Sequence, residues 1–375
     1  MNPSTTGDQI PVVVLAGFLG SGKTTLLNHL LRRRAGNRIA VVVNDFGAVE
    51  IDAMTVAGQV GSTVSLGNGC LCCAVDASEL DGYLERLSRP AARIDLIVIE
   101  ASGLAEPQEL VRMILTGDNP RTVYGGLVQV VDAAEFDATR QRHPETDRHL
   151  AIADLVVLNK TDRVTPAEHE RVLGVIGTLG PGAAVVSASY GRIDPGLLFD
   201  PAARPAEDEK IRQLSFEDLR ADDDEGEDHT GEDAGERAGE HAPHPHTGYE
   251  SVSYDEPAAM DPRRLMAFLD SRPEGLYRVK GFVDFGAADP ANRYAVHAVG
   301  RFLRFYPEPW PRGTERRTQL VLIGSGIDRD ALAKELTVCA VTETEAATAP
   351  DESAMWGVLR YVRSGPAAEE AADPV

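Results

Sequence analysis

The segment that most constrains this chain is GFLGSGKT at residues 17–24, which matches the pattern G-x-x-x-x-G-K-[ST]. It follows the apolar run VVVLAG (12–17) and leads into TTLLNHLLRRR (24–34), where apolar residues recur at helical spacing. The pattern indicates a phosphate site only when a strand precedes it and a helix follows it, and both conditions hold here. The segment therefore predicts a strand–loop–helix unit rather than a merely structural glycine turn.

Each residue type in this segment has a task in holding a phosphate chain. Glycines at positions 20 and 22 let backbone N–H groups turn inward, and the helix N-terminus adds partial positive charge. Lys23 reaches the β- and γ-phosphates, and the Thr24 hydroxyl ligates Mg²⁺. We therefore expect a nucleoside triphosphate bound with Mg²⁺.

Further apolar runs rich in β-branched residues recur through the first two hundred residues. They lie at 39–44, 95–100, 126–133, 154–160 and 183–189. Amphipathic stretches separate them, at 24–34, 77–89, 107–115 and 166–179. Buried strands that alternate with helices predict the α/β class, as a P-loop doubly wound and mostly parallel sheet with helices on both faces.

The tetrapeptide NKTD (159–162) ends one of these strands. The Asp162 carboxylate can accept hydrogen bonds from guanine N1–H and from the exocyclic amine, a pair of donors that adenine does not offer. Asn159 and Lys160 would brace the pocket, so the turn favours GTP; the alternative is an ordinary polar turn. Residues 187–188, Ser-Ala after the last strand, lie where either a base-contacting backbone loop or a plain turn would fall.

An acidic residue, Glu100, ends the strand in DLIVIEASG (95–103). An acid at this point can hold Mg²⁺ through water or position the attacking water, and the Gly103 N–H can reach the γ-phosphate. We interpret the segment as a Walker B-like element. The alternative is a carboxylate that caps the following helix.

Three of the four cysteines lie within four positions of one another: Cys70, Cys72 and Cys73. No disulfide framework has this spacing, and Cys339 is far away. As thiolates the three suit a borderline ion such as Zn²⁺, with a fourth ligand among Asp45, Glu50, a nearby His or water. The alternative is a set of small buried side chains.

The acidic charge of the chain is concentrated in one segment. The net charge is −22, and residues 207–256 hold 18 Asp or Glu against 4 Lys or Arg. Nucleic acid and anionic membranes attract cations, so we exclude both as default partners. No apolar run of 18 residues exists and the first residues lack the pattern of a signal peptide, so a cytoplasmic location is expected.

Residues 222–248 contain no Val, Ile, Leu, Phe or Trp, which predicts a disordered linker. It carries four histidines, which either collect divalent metals or belong to a solvated spacer: His229, His241, His244 and His246. Beyond it, strands follow one another with short turns, which predicts a small α+β C-terminal domain that is mostly antiparallel. The expected boundaries are a P-loop GTPase domain at 9–206, an acidic linker at 207–248, the α+β domain at 249–345 and a C-terminal extension and tail at 346–375.

Five motifs in this order resemble those of the CobW-like metallochaperone GTPases: GFLGSGKTTLLNHLL, NDFGAVEID, GNGCLCC, EASGLAEP and NKTD. These proteins belong to a larger group of P-loop proteins that includes the hydrogenase and urease nickel-insertion GTPases. LYRVKGFV and QLVLIGSGID resemble the C-terminal domain of the same family. The resemblance implies GTP hydrolysis coupled to delivery of a transition metal to a client protein.

The resemblance also implies a nucleotide-binding set: Gly17, Gly20, Ser21, Gly22, Lys23, Thr24, Thr25, Asn159, Lys160 and Asp162. Lys23 and Glu100 are expected to serve catalysis, Thr24 and Glu100 to hold Mg²⁺, and the C-x-C-C cysteines to hold the transition metal. Many members read N-E-F-G-E-V-G-I-D where this chain has NDFGAVEID (44–52), so Asp45 replaces the first Glu, Ala48 the second Glu and Glu50 the second Gly. Asp45 is a candidate metal ligand in this segment.

The sequence thus predicts a GTP-hydrolysing metallochaperone with GTP, Mg²⁺ and Zn²⁺ as cofactors. Zn²⁺ is favoured because a thiolate-rich site in a reducing compartment binds it tightly. The alternatives are a cobalt or iron insertion factor and a passive zinc-storage protein that nucleotide merely stabilises. The expected partner is a client metalloprotein, with a homo-oligomer left open.

Overall fold

The computed structural model describes residues 9–33, 37–43, 63–65, 77–101, 106–198, 249–271, 273–342 and 353–362. Within these ranges the chain forms one sheet of seven strands and one of five. The three motif cysteines, Asp45, Glu50, Gly103 and the linker histidines lie outside the described residues. None of the described helices is long and apolar enough to cross a membrane.

The first sheet is parallel throughout, in the order β3-β2-β4-β1-β5-β6-β7. Its strands are β1 Ile10–Gly17, β2 Ile39–Val43, β3 Thr63–Ser65, β4 Leu96–Glu100, β5 Thr122–Asp132, β6 Leu155–Asn159 and β7 Ala184–Ser187. The apolar runs of the sequence are buried in β1, β4, β5 and β6, as expected when helices cover both faces. The predicted doubly wound parallel sheet is confirmed.

Helices lie between the strands: α1 Lys23–Arg32, α2 Ala77–Leu87, α3 Pro107–Thr116, α4 Phe136–Arg142, α5 Glu145–Ile152 and α6 Pro166–Leu179. The apolar side of α1 packs on one face of the sheet, and those of α2 and α3 pack on the other. α6 begins with a capping box in which the Thr165 side chain accepts from the Glu168 N–H, as its sequence predicts. Periodicity does not predict α4 and α5, because they span only 7 and 8 residues and are mostly polar.

The second sheet is antiparallel, in the order β11-β10-β9-β12-β8. Its strands are β8 Glu250–Glu256, β9 Leu276–Asp284, β10 Asn292–Val299, β11 Phe302–Pro309 and β12 Thr318–Gly324. Three helices share its core: α7 Pro262–Ser271, α8 Arg329–Cys339 and α9 Trp356–Leu359. The predicted α+β domain is confirmed, and β10 and β11 form a hairpin that turns at Gly300.

A buried contact joins the two sheets at the start of β5. The Tyr277 hydroxyl donates to the Gly125 carbonyl oxygen at 3.2 Å, and His297 Nε2 lies 2.9 Å from the Tyr124 carbonyl oxygen. The second sheet also adds the Val299 side chain to the core cluster that lies under α1. Burial of this contact raises the pKa of Tyr277, so its hydroxyl stays neutral and can donate.

Candidate functional site

The polar residues that the sequence singles out lie at one edge of the parallel sheet. β1 ends at Gly17, β4 at Glu100 and β6 at Asn159, and all three ends are carboxyl ends of parallel strands. Open α/β sheets bind ligands in the crevice outside these ends. The strand order therefore brings together the phosphate loop (residues 17–25), the Walker B-like acid and the guanine turn (residues 159–162).

The phosphate loop has the backbone that its glycines predict. Gly20 and Gly22 have φ values of +81° and +106°, in the left-handed region. A side chain on Gly22 would overlap the Asn159 amide, so only glycine fits where the loop approaches the guanine turn. α1 begins directly afterwards at Lys23, with its N-terminus toward the loop.

Lys23 is held inside the phosphate loop. Its ammonium donates to the Gly17 carbonyl oxygen at 2.7 Å and lies 3.5 Å from that of Phe18, and the side chain is almost fully buried. The ammonium therefore already lies where the loop would receive a phosphate chain. It needs only to exchange carbonyl oxygens for phosphate oxygens.

Glu100 lies beside the strand that leads into the loop. It pairs in register with Leu15, and the next residue, Ala101, donates its N–H to the Leu15 carbonyl oxygen at 2.9 Å. The Glu100 side chain is 6% exposed. Glu100 therefore lies beside a residue that precedes the phosphate loop by two positions, and its carboxylate is shielded from bulk water. This position suits an acid that holds Mg²⁺ or orients a single water.

Asn159 braces two loops around the nucleotide site. Its side-chain amide donates to the Ser21 carbonyl oxygen and accepts from the Gly191 N–H, both at 2.9 Å, and the side chain is 1% exposed. Thr161 fixes the loop after β7 in the same way, because its hydroxyl donates to the Ala188 carbonyl oxygen at 3.1 Å. Asp162 is exposed at the edge of the turn, where its carboxylate can meet a base.

Lys160 connects the guanine turn to the phosphate loop. Its ammonium donates to the Gly20 carbonyl oxygen at 2.7 Å and to the Asp132 carboxylate at 2.6 Å. The sequence motifs do not include Asp132. The available signal was its position, since it is a polar residue at the end of a buried strand, like Glu100 and Asn159.

The metal part of the prediction lies largely outside the described residues. Within them, no group of three or more His, Cys, Asp and Glu side chains is arranged to hold a metal ion. Cys339 is a free, buried thiol whose pKa burial raises to about 11, so it is protonated at neutral pH.

These features define a class: a P-loop GTPase with a second, antiparallel domain. Residues 11–187 match the model of the CobW/HypB/UreG nucleotide-binding domain, and residues 249–340 match that of the cobalamin synthesis protein cobW C-terminal domain. The chain belongs to the CobW/HypB/UreG family. The resemblance seen in the sequence is therefore confirmed.

One relative matches the chain over both domains, and others match part of it. The zinc chaperone CobW of Pseudomonas aeruginosa is 32% identical over 381 residues, which cover 89% of this chain and 92% of that protein. The zinc chaperone YjiA of Escherichia coli is 34% identical over 208 residues, which cover 53% of this chain and 62% of that protein. The crystal structure of Zn(II)-bound YjiA GTPase from E. coli is 22% identical, with a TM-score of 0.41, and covers 88% of this chain and 99% of that one.

Proposed function

We propose that this chain is a GTP-hydrolysing metallochaperone that binds a transition metal at Cys70, Cys72 and Cys73, with zinc as the preferred metal. It passes the metal to a client metalloprotein under nucleotide control. The observation that carries the proposal is the match to a zinc chaperone over 92% of that relative's length, in a chain that has a C-x-C-C motif. We expect it to act in the cytoplasm, where thiols stay reduced.

The strand order supports a coupling between metal and nucleotide. Val43, the last residue of β2, is paired with Ser65 of β3 on one side and with Glu100 of β4 on the other. Adjacent strands lie about 4.8 Å apart, so these three strand ends are neighbours. Cys70 follows Ser65 by five residues in the sequence. A metal held by this motif would therefore be connected, through β3 and β2, to the strand end that carries Glu100.

The residues of the nucleotide site suit GTP hydrolysis. Thr24 and Glu100 supply the oxygen donors that Mg²⁺ prefers, one at the start of α1 and one at the buried end of β4. Mg²⁺, when bound, offsets the charge of the β- and γ-phosphates. Lys23 would neutralise the same phosphates from inside the loop, and Asp162 would select guanine.

The test of the metal site is a competition titration of Zn²⁺ against a chromophoric chelator. Changing Cys70, Cys72 and Cys73 to Ser should lower the Zn²⁺ affinity by more than about tenfold, because thiolates are the ligands that Zn²⁺ prefers. Cys339→Ser is the matched control and should leave the affinity unchanged, since that thiol is buried and protonated. Undiminished affinity in the triple variant would contradict the assignment of the motif. Tighter binding of cobalt or iron than of zinc would favour an insertion factor for those metals.

A further inference from the structure

Asp132 ends β5 beside the guanine turn, and the backbone of the residues that follow it holds its side chain in place. Its Oδ1 accepts from the N–H groups of Ala134 and Glu135 at 3.0 and 3.3 Å. Its Oδ2 accepts from the Lys160 ammonium at 2.6 Å, and the Asp132 side chain is only 10% exposed. One carboxylate oxygen is therefore anchored to the turn, and the other is presented to Lys160 in a defined direction.

Lys160 depends on a second acceptor to stay in place. Its ammonium joins the guanine turn to the phosphate loop through the Gly20 carbonyl oxygen at 2.7 Å. A lysine ammonium is a point charge on a flexible four-carbon stem, so one neutral carbonyl oxygen holds it weakly. A charge-assisted bond to a fixed carboxylate is stronger and selects one position of the ammonium.

A nearby cavity offers the ammonium a different position. A cavity of about 380 Å³ is lined by Asp132, Lys160 and Glu135, together with Arg142. The Glu135 carboxylate lies 3.7 Å from the Arg142 guanidinium and is half exposed. If Asp132 lost its charge, Lys160 could turn toward Glu135 and leave Gly20.

We infer that Asp132 is a positioning residue of the GTPase reaction. It acts on the nucleotide through Lys160. Because Asp132 holds the Lys160 ammonium on the Gly20 carbonyl oxygen, the distance between the phosphate loop and the guanine turn stays fixed. The two parts bind opposite ends of the nucleotide, and neither contact of Lys160 involves the γ-phosphate. Asp132 therefore contributes equally to the binding of GDP, of GTP and of the transition state, and it should affect KM rather than kcat.

Asp132→Asn tests this directly, because the Asn oxygen can still accept from Ala134 and Glu135 while the charge is lost. We expect Kd for both GDP and a non-hydrolysable GTP analogue, and KM for GTP, to rise about 10- to 150-fold, as for loss of one hydrogen bond between charged groups, with kcat unchanged. The matched control is Asp137→Asn, which removes the exposed pair with Arg171 at 2.5 Å and should leave Kd unchanged. Unchanged Kd in Asp132→Asn would overturn the inference.

A double-mutant cycle with Lys160→Ala separates positioning from a merely structural role. If Asp132 acts through Lys160, Asp132→Asn should cause no further loss of nucleotide affinity in the Lys160→Ala background. The same fold-loss in both backgrounds would overturn the inference. If Asp132→Asn melts well below the wild type, Asp132→Ser, whose hydroxyl can also accept from the turn, is measured in the same cycle. The measured quantity is nucleotide affinity in the absence of a transition metal. A negative result would therefore contradict the role of Asp132 and leave the metallochaperone proposal unaffected.

Discussion

At the residue scale, the guanine turn divides its work among neighbouring side chains. Asn159 has its amide engaged on Ser21 and Gly191, and Lys160 has its ammonium engaged on Gly20 and Asp132. Their hydrogen bonds are made to protein, so they set the shape of the pocket. We propose that base selection is left to Asp162, whose exposed carboxylate can accept from two donors.

Asp162→Asn should change the preferred nucleotide. The amide offers one acceptor and one donor, which match the N1–H and the C2 oxygen of xanthine, whereas guanine presents two donors. We expect Kd for GTP to rise by about tenfold or more, because guanine loses a charged acceptor for one of its two donors. We expect Kd for xanthosine triphosphate to fall, because the C2 oxygen of xanthine gains the Asn amide as a donor. Equilibrium binding of both nucleotides to the folded variant is the measurement. A variant that still prefers GTP would contradict the role of Asp162.

At the scale of elements, β5 is the strand that connects the two domains to the nucleotide site. Its first residues carry the contacts of Tyr124 and Gly125 with the second sheet, and its last residue is Asp132. The register with β1 shifts at Gly125, where β5 bulges toward Tyr277. A single strand thus spans the distance from the domain contact to Lys160.

The local pattern of the sequence predicts most of these elements but not their long-range partners. Strands such as β1 and β4 are predictable because buried parallel strands are continuous apolar runs. The sequence pattern misses the start of β5, because Gly125-Gly126 is typical of the end of a strand. In the structure this pair forms the bulge within β5 and lets Tyr277 approach closely. The position of Asp132 at the end of a buried strand is visible in the sequence, but its partner is not, since Lys160 is 28 residues away and the pair forms only when β5 and β6 lie side by side.

At the scale of the whole molecule, the hairpin turn between β10 and β11 is seated on the first sheet. Gly300 has φ +51° and lies directly over the Asp154 carboxylate, which accepts from the Tyr124 hydroxyl at 2.6 Å and from the Leu127 N–H at 2.8 Å. Asp154 is buried, so its carboxylate depends on these donors. The two domains are therefore joined by an interior contact rather than by loose surface packing.

Gly300→Ala should loosen this contact, because the added methyl group would overlap the Asp154 carboxylate. The matched control is Gly313→Ala, which also has positive φ, at +77°, but has open space around the new methyl group. We expect the control to lose about 1–2 kcal/mol of stability from backbone strain and Gly300→Ala to lose about 1–3 kcal/mol more from overpacking. Denaturant unfolding of the full chain measures the difference. Equal losses in the two variants would show that the turn does not depend on its fit over Asp154.

Nucleotide control of metal binding can be measured as the Zn²⁺ affinity of the full chain in two nucleotide states. Linkage requires that if GTP tightens metal binding by some factor, metal tightens GTP binding by the same factor, typically about 5- to 150-fold. The measurement is the chelator competition with GDP and with a non-hydrolysable GTP analogue, each with Mg²⁺. We predict tighter Zn²⁺ binding with the GTP analogue, so that hydrolysis promotes release. Equal affinities in the two states would contradict the claim and leave a passive zinc-binding protein.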